Sequence, residues 1–204
     1  MTTQSLDEQI ELVRRLALAG RDAPLVGGRI CLLAGLVFSG ASLWTWLVLD
    51  HYITAPIAAI AVPWAIALAV VMAYVVYLRQ RFPEPNADTT TNRAARAAWS
   101  GIGRALFALQ AAFLVVALRS NESGIYLLLP SCIFALYGAA WTVGAAMTER
   151  TWLKVLSVAS FAVAIALALA ERAALSFLLQ AFAFLALVAA PGAILLRLEK
   201  AEAR

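Results

Sequence analysis

Long apolar runs separated by short polar connectors make up most of this chain, and they predict membrane-spanning helices. Each run has about the 20 residues that an α-helix needs to cross the hydrocarbon core of a bilayer. We place six spans near residues 30–49, 55–78, 100–118, 124–147, 152–170 and 173–196. The pattern therefore predicts an all-α polytopic membrane protein. It comprises a compact six-helix transmembrane bundle, residues 23–204, behind a short N-terminal segment, residues 1–22.

The N-terminal segment has the pattern of a short amphipathic helix over residues 5–19. Ser5 and Glu8 have the spacing of a capping box, in which each side chain satisfies a free backbone N–H at the helix start. Apolar residues recur at intervals of four and three, which places them on one face. They are Leu6, Ile10, Val13 and Ala17. The polar face is acidic rather than basic, which favours docking against the protein or a partner over a membrane surface.

The longest polar stretch, the loop at residues 79–99, sets the predicted orientation. It is rich in arginine, and Lys and Arg in short loops prefer the cytoplasmic side of a membrane. With this loop inside, Arg119 and Arg172 are the only two of the 16 Lys and Arg residues that face outward. We therefore predict a multi-pass protein of the cell (inner) membrane with both termini in the cytoplasm.

Composition and charge agree with this interpretation. Of the 204 residues, 63% are hydrophobic and 14% are charged, whereas a soluble domain has about 45–50% and about 25%. The net charge of +4 does not indicate nucleic acid, because the basic residues flank apolar spans rather than form an exposed stripe. We predict the lipid bilayer as the surrounding partner and no direct contact with nucleic acid.

Small residues and prolines predict how the spans pack. Alanine recurs every four positions in the second and fifth spans, a pattern that lets helices approach closely. These alanines are Ala61, Ala65, Ala69, Ala73, Ala162, Ala166 and Ala170. Pro63 and Pro130 fall inside the second and fourth predicted spans, where a proline kinks a helix. Such kinks would either open a cavity in the outer half of the bundle or be filled by neighbouring helices.

Polar side chains inside the spans gather in the outer half of the bilayer. At a rise of about 1.5 Å per residue, Gln110, Ser131 and Gln180 lie at similar depths. The side chain of Tyr137 leans toward the same level. We interpret these four residues as a candidate polar layer that binds a small amphipathic ligand or a lipid headgroup. The alternative is that they form hydrogen bonds between helices.

A second candidate region lies on the predicted cytoplasmic face. Odd-numbered spans all begin there, so the segments that precede them converge on one surface. Asp22 is the natural partner of Arg93 or Arg96, and we predict that these residues pair. The pair would either pin the segments together or form part of a docking site for a cytoplasmic protein.

Catalytic chemistry is not indicated. No charged residue lies deep within a predicted span, which argues against a proton-coupled transporter. No Ser–His–Asp order and no HExxH, P-loop or GxGxxG motif stands in a workable context. The outer turns contain His51, Asp50, Glu122 and Glu171, but acidic residues are expected in short solvated turns. We predict no catalytic residue, no cofactor and no metal.

Four stretches carry a resemblance to known sequences: GRDAPLVGGR at 20–29, NRAARAAW at 92–99, FALYGAAW at 134–141 and PGAILLR at 191–197. Together they resemble an uncharacterised family of small bacterial six-span integral membrane proteins. The resemblance implies the six-span topology and no particular activity. It also implies that such a protein accompanies a small soluble DNA-binding regulator.

These observations favour a membrane-embedded interaction or regulatory protein whose cytoplasmic face engages a protein partner, and not an enzyme. The alternative is a small transporter, channel or lipid- or small-molecule-binding membrane protein. Detergent-solubilised material with and without residues 1–19 would distinguish the two by partner capture. The oligomeric state stays open.

Overall fold

The computed structural model describes residues 11, 27–81, 89–120, 123–170 and 173–202. These residues contain six helices of at least 18 residues that are long and apolar enough to cross a membrane, and no strand. The first five are α1 (Gly28–Leu49), α2 (Ala61–Arg81), α3 (Thr90–Ser120), α4 (Leu129–Thr148) and α5 (Thr151–Ala168). The sixth span comprises α6 (Ala173–Phe184), a π-helical turn (Leu185–Ala189) and α7 (Ala190–Glu202). The predicted all-α, multi-pass helical bundle is confirmed.

The kinks predicted at Pro63 and Pro130 would need a proline in a helix interior, and neither residue lies there. A short 3-10 helix precedes α2 at Ile57–Ile60, and another precedes α4 at Ser123–Leu128. Pro63 and Pro130 therefore lie in the first turn of their α-helices. A proline there loses no hydrogen bond, because the first backbone N–H groups of a helix have no intrahelical acceptor.

The sixth span accommodates its interior proline in a different way. Pro191 has no N–H, and its ring crowds the carbonyl group four residues earlier. The preceding turn, Leu185–Ala189, is wound as a π-helix, and the N–H of Ala190 donates to the carbonyl of Leu185. The wider turn gives the proline ring the room that a regular α-helix would deny it.

The loop predicted at residues 79–99 is shorter in the structure. α2 continues to Arg81, and α3 begins at Thr90 and runs for 31 residues. Asn92 and Ala95 are buried, so the first turns of α3 pack against the bundle. Apart from Glu11, residues 1–22 lie outside the described ranges, so the N-terminal amphipathic helix stays a prediction.

Glycines bring α1 and the sixth span into backbone contact. A Cβ atom added at Gly35 would lie 2.7 Å from the Cα of Ala189, and one added at Gly28 would lie 2.8 Å from the carbonyl oxygen of Gly192. Ser39 adds a hydrogen bond across the same seam, donating to the carbonyl of Ala181 at 2.9 Å. Close approach of this kind drives helix association where lipid supplies no hydrophobic force.

A second close seam joins α4 to α5. Gly138 leaves room for the ring of Phe161, which would lie 3.0 Å from an added Cβ atom. Ser157 donates to the carbonyl of Gly138 at 3.0 Å, and its hydroxyl lies 2.6 Å from that of Thr142. The alanine seams predicted on the second and fifth spans do not form such close contacts between helices. Their alanines are exposed, apart from Ala170, which is half-buried.

Candidate functional site

The four residues of the predicted polar layer occupy different surroundings. Gln110 lies on the exposed surface of α3, whereas Gln180 on α6 is only 1% exposed. The Ser131 hydroxyl is buried and has no hydrogen-bond partner among the described residues. Tyr137 lies in an aromatic cluster, with its ring centroid 5.3 Å from that of Trp99. The structure therefore separates Gln110 from the three side chains inside the bundle.

A cavity of about 720 Å³ lies between α1, α2, α3, α4 and the sixth span. Its volume falls within the range of about 300–1,000 Å³ that is usual for small-molecule sites. Most of its wall is apolar, and four aromatic side chains contribute to it. They are Phe38, Trp99, Tyr137 and Trp141. Of the four residues in the predicted polar layer, Tyr137 alone lines this cavity.

The cavity exists because α2 and α3 diverge. α2 packs on α1, and α3 packs on α4, but among the described residues α2 and α3 make hardly any contact with each other. The wall residues of each helix recur at intervals of three and four, which places them on one face. From α2 they are Val71, Val75, Leu78 and Arg79, and from α3 they are Asn92, Ala95, Arg96 and Trp99. The cavity therefore lies between two helices that do not pack together.

Two arginines stand at one end of the cavity. Arg79, near the end of α2, and Arg96, in the second turn of α3, both line the cavity and are both exposed. The cavity therefore reaches the surface of the bundle at this end. We call this end, where α2 stops and α3 starts, the basic end, and the space the basic-end cavity.

The structure describes the arginines of the predicted cytoplasmic pair but not Asp22. Arg93 is exposed on α3, one turn before Arg96, and does not line the cavity. Asp22 lies outside the described residues, so its pairing with either arginine stays a prediction. Of the two arginines, Arg96 lines the cavity and Arg93 does not.

Trp141 carries a polar atom that the described residues leave unsatisfied. Its ring meets Trp99 edge to face, with the centroids 5.1 Å apart, and only 2% of the residue is exposed. In the described part of the chain, no acceptor lies within hydrogen-bonding distance of its indole N–H. A buried donor without a partner costs about 1–3 kcal/mol. The cavity wall thus contains a hydrogen-bond donor that has no acceptor among the described residues.

The remaining chemistry of the described residues is sparse. Ser176 and Gln180 also carry buried oxygen atoms without a partner in the described ranges. No group of three or more His, Cys, Asp or Glu side chains there could hold a metal ion. Both cysteines in those ranges, Cys31 and Cys132, are free thiols.

Comparisons with protein-family models, with curated proteins and with solved structures found no match. The resemblance to small bacterial six-span proteins accordingly stays a prediction.

Sequence reasoning did not find this site, although part of the signal was present. Asn92, Arg96 and Trp99 follow one another at intervals of four and three, which puts them on one helical face. Trp141 lies in an apolar run and has the pattern of any core aromatic residue. Nothing in the sequence indicates that α2 stands away from α3.

Proposed function

We propose that this membrane protein binds an amphiphile with an acyl-like chain, taken from the surrounding bilayer, in the basic-end cavity. The observation that carries the proposal is a space of about 720 Å³ with an apolar wall between two helices that do not pack together. The proposal belongs to the predicted alternative, a lipid- or small-molecule-binding membrane protein.

A hydrocarbon chain is the expected occupant because lipid, and not water, surrounds a membrane-spanning bundle. An unfilled space in a protein interior costs dispersion energy, because the atoms that line it lack neighbours on one side. In water, apolar walls such as Val71 and Val75 would be driven together. In a bilayer that drive is missing, since lipid tails are as apolar as the side chains. A hydrocarbon chain that enters from the lipid restores the missing contacts without requiring the helices to close.

The basic end also keeps the predicted docking role open. Arg81 and Arg93 are exposed there and lie outside the cavity wall. We propose that this end faces the cytoplasm of the inner membrane, because the charge distribution of the chain supports that orientation. A cytoplasmic partner protein, with the segment around Asp22 as part of its docking site, stays a prediction.

Quenching of tryptophan fluorescence by a brominated acyl chain tests the proposed binding. Trp99 and Trp141 line the cavity, so a chain that occupies it brings bromine close to both rings. In detergent micelles, we expect the methyl ester of dibromostearic acid to quench with a saturable dependence on its mole fraction. The double substitution Val71→Phe with Val75→Phe fills the cavity and should abolish the saturable component.

Two other valines of the same helix provide the matched control. Val70 and Val76 are 39% and 49% exposed and do not line the cavity. Val70→Phe with Val76→Phe adds the same bulk to α2 and should leave the saturable quenching intact. Quenching that rises linearly, with no difference between the two double variants, would mean that the probe only partitions into the micelle.

A further inference from the structure

On the basis of the proposed function, we infer that the amphiphile in the basic-end cavity is an ester-linked lipid. Its uncharged carbonyl oxygen accepts a hydrogen bond from the indole N–H of Trp141. The chemical class follows from one unsatisfied donor in the cavity wall and from the depth at which that donor lies.

Trp141 differs in its hydrogen bonding from two other tryptophans of the bundle. The indole N–H of Trp64 donates to the hydroxyl of Thr45 at 3.0 Å. That of Trp44 donates to the carbonyl of Ala59 at 3.3 Å. Trp141 lines the cavity and is only 2% exposed, yet its N–H has no acceptor among the described residues. Buried donors in proteins are nearly always paired, so an acceptor oxygen on the ligand would supply what this part of the wall lacks.

Trp141 lies just inside the charged rim of the cavity. Its ring centroid is 5.1 Å from that of Trp99, so the two rings lie at similar depth. Trp99 follows Arg96 by three residues on α3, which places it about 4.5 Å farther from the basic end. The donor therefore lies about one helical turn deeper than the arginines that line the cavity.

The wall beyond this level is apolar. Val75 and Val71 precede Arg79 by four and eight residues, so they line the cavity about 6 and 12 Å farther from the basic end. From the rim inward, the wall therefore changes from charged groups to a hydrogen-bond donor and then to hydrocarbon. An ester-linked lipid has the same order, with a polar headgroup, an ester carbonyl and an acyl chain. Its carbonyl would lie at the depth of Trp141.

The polar end of the cavity does not select an anion. Arg96 is already engaged with another group of the protein. The carboxylate of Glu199 accepts a hydrogen bond from the N–H of Gly28 at 3.4 Å, next to Gly27 of the wall, so both signs of charge are present at this end. A free carboxylate at the depth of Trp141 would place a charge among aromatic rings, which is unfavourable without an opposite charge beside it. An ester carbonyl accepts the same hydrogen bond and carries no charge.

Two brominated probes with the same chain separate the effect of the carbonyl from that of the chain. One is the methyl ester of dibromostearic acid, and the other is dibromooctadecane, which has no oxygen. Saturable quenching of tryptophan fluorescence gives the affinity of each probe in dodecyl maltoside, a detergent without carbonyl groups. Each probe is compared with itself between the unmodified protein and Trp141→Phe, so the different partitioning of the two probes into the micelle cancels.

Trp141→Phe keeps an aromatic ring in the wall and removes the N–H. It should weaken binding of the ester about fivefold, which corresponds to about 1 kcal/mol for a neutral hydrogen bond. Binding of dibromooctadecane should stay close to that of the unmodified protein. Trp99 remains in the wall as the reporter. Trp152→Phe removes a tryptophan outside the cavity wall and should leave binding of both probes unchanged.

Nuclear magnetic resonance of the unmodified protein tests the same hydrogen bond without relying on the folding of Trp141→Phe. Isotopic labelling of tryptophan makes the six indole N–H groups visible. The ester should move one indole proton signal downfield, because an N–H that gains an acceptor is deshielded, and dibromooctadecane should not. That signal should persist in Trp99→Phe and in Trp152→Phe.

The outcomes distinguish the carbonyl contact from the function on which it rests. Weakening of the ester alone, with an ester-specific shift of one indole signal, would support the contact. Equal weakening of both probes by Trp141→Phe, or an indole spectrum that responds to both probes alike, would overturn it and leave chain binding in place. Absence of saturable quenching by both probes would refute the carbonyl contact and the proposed function together.

Discussion

The backbone contact between α1 and the sixth span gives a sharp prediction about stability. Gly35→Ala adds a Cβ atom that would lie 2.7 Å from both the Cα and the Cβ of Ala189. Ordinary carbon–carbon contacts lie at about 3.5–4.0 Å, so the two helices would have to separate by about 1 Å. Ala189 belongs to the π-helical turn before Pro191, so its backbone has little freedom to move aside.

The expected loss of stability follows from two opposing terms. Overpacking of a well-packed interface costs about 1–3 kcal/mol, and a backbone contact places Gly35 toward the upper end of that range. Alanine favours a helix interior over glycine by about 1 kcal/mol. We therefore expect Gly35→Ala to lower the free energy of unfolding by about 2 kcal/mol. Reversible unfolding in mixed micelles by an added denaturing detergent, followed by circular dichroism, measures this difference.

Gly40→Ala is the control within the same helix. An added Cβ atom at Gly40 meets nothing within 4 Å, so this substitution retains the helical benefit without the clash. It should leave the free energy of unfolding unchanged or raise it by up to about 1 kcal/mol. If Gly35→Ala proves as stable as Gly40→Ala, close contact between α1 and the sixth span does not hold the bundle together.

Two further predictions concern the surface of the bundle and its orientation. Gln110→Leu should change the free energy of unfolding by no more than about 0.5 kcal/mol, because Gln110 is exposed on α3. A loss above about 1 kcal/mol in the same unfolding assay would show that the Gln110 amide has a partner in the folded protein. Reporter fusions after Arg81 and after Glu149 should be active on the cytoplasmic side, and a fusion after Asp50 on the opposite side, because the arginine bias sets the orientation. Activity of the Arg81 and Glu149 fusions on opposite sides would contradict the six-span topology.

The number of spans could be predicted because bilayer thickness fixes how much apolar sequence a helix needs. The residues at which the helices begin and end were harder to predict. Residues 90–99 belong to the longest polar stretch of the chain, which indicates a loop. Alanine and arginine are nevertheless strong helix formers, and α3 begins at Thr90. The same limit explains Pro63 and Pro130, since hydropathy does not distinguish a 3-10 turn from the α-helix that follows it.

The candidate site was less predictable than the fold for a geometric reason. Counting residues along a helix gives the depth of a side chain in the bilayer but not the direction in which it points around the bundle. Gln110 and Gln180 have similar predicted depths, but one is exposed and the other is buried. Direction depends on which helices pack together, and that is a property of the assembled bundle.

The distribution of close contacts explains why the cavity lies where it does. Glycine seams join α1 to the sixth span and α4 to α5, so these four spans form the tightly packed part of the bundle. α2 and α3 have no such seam, and only 11% and 6% of their most apolar windows are buried, the lowest values among the six spans. Each lies against the packed part on one side only, which leaves the gap between them to be filled from outside. The proposed amphiphile would fill this gap and supply α2 and α3 with the contacts that they lack on that side.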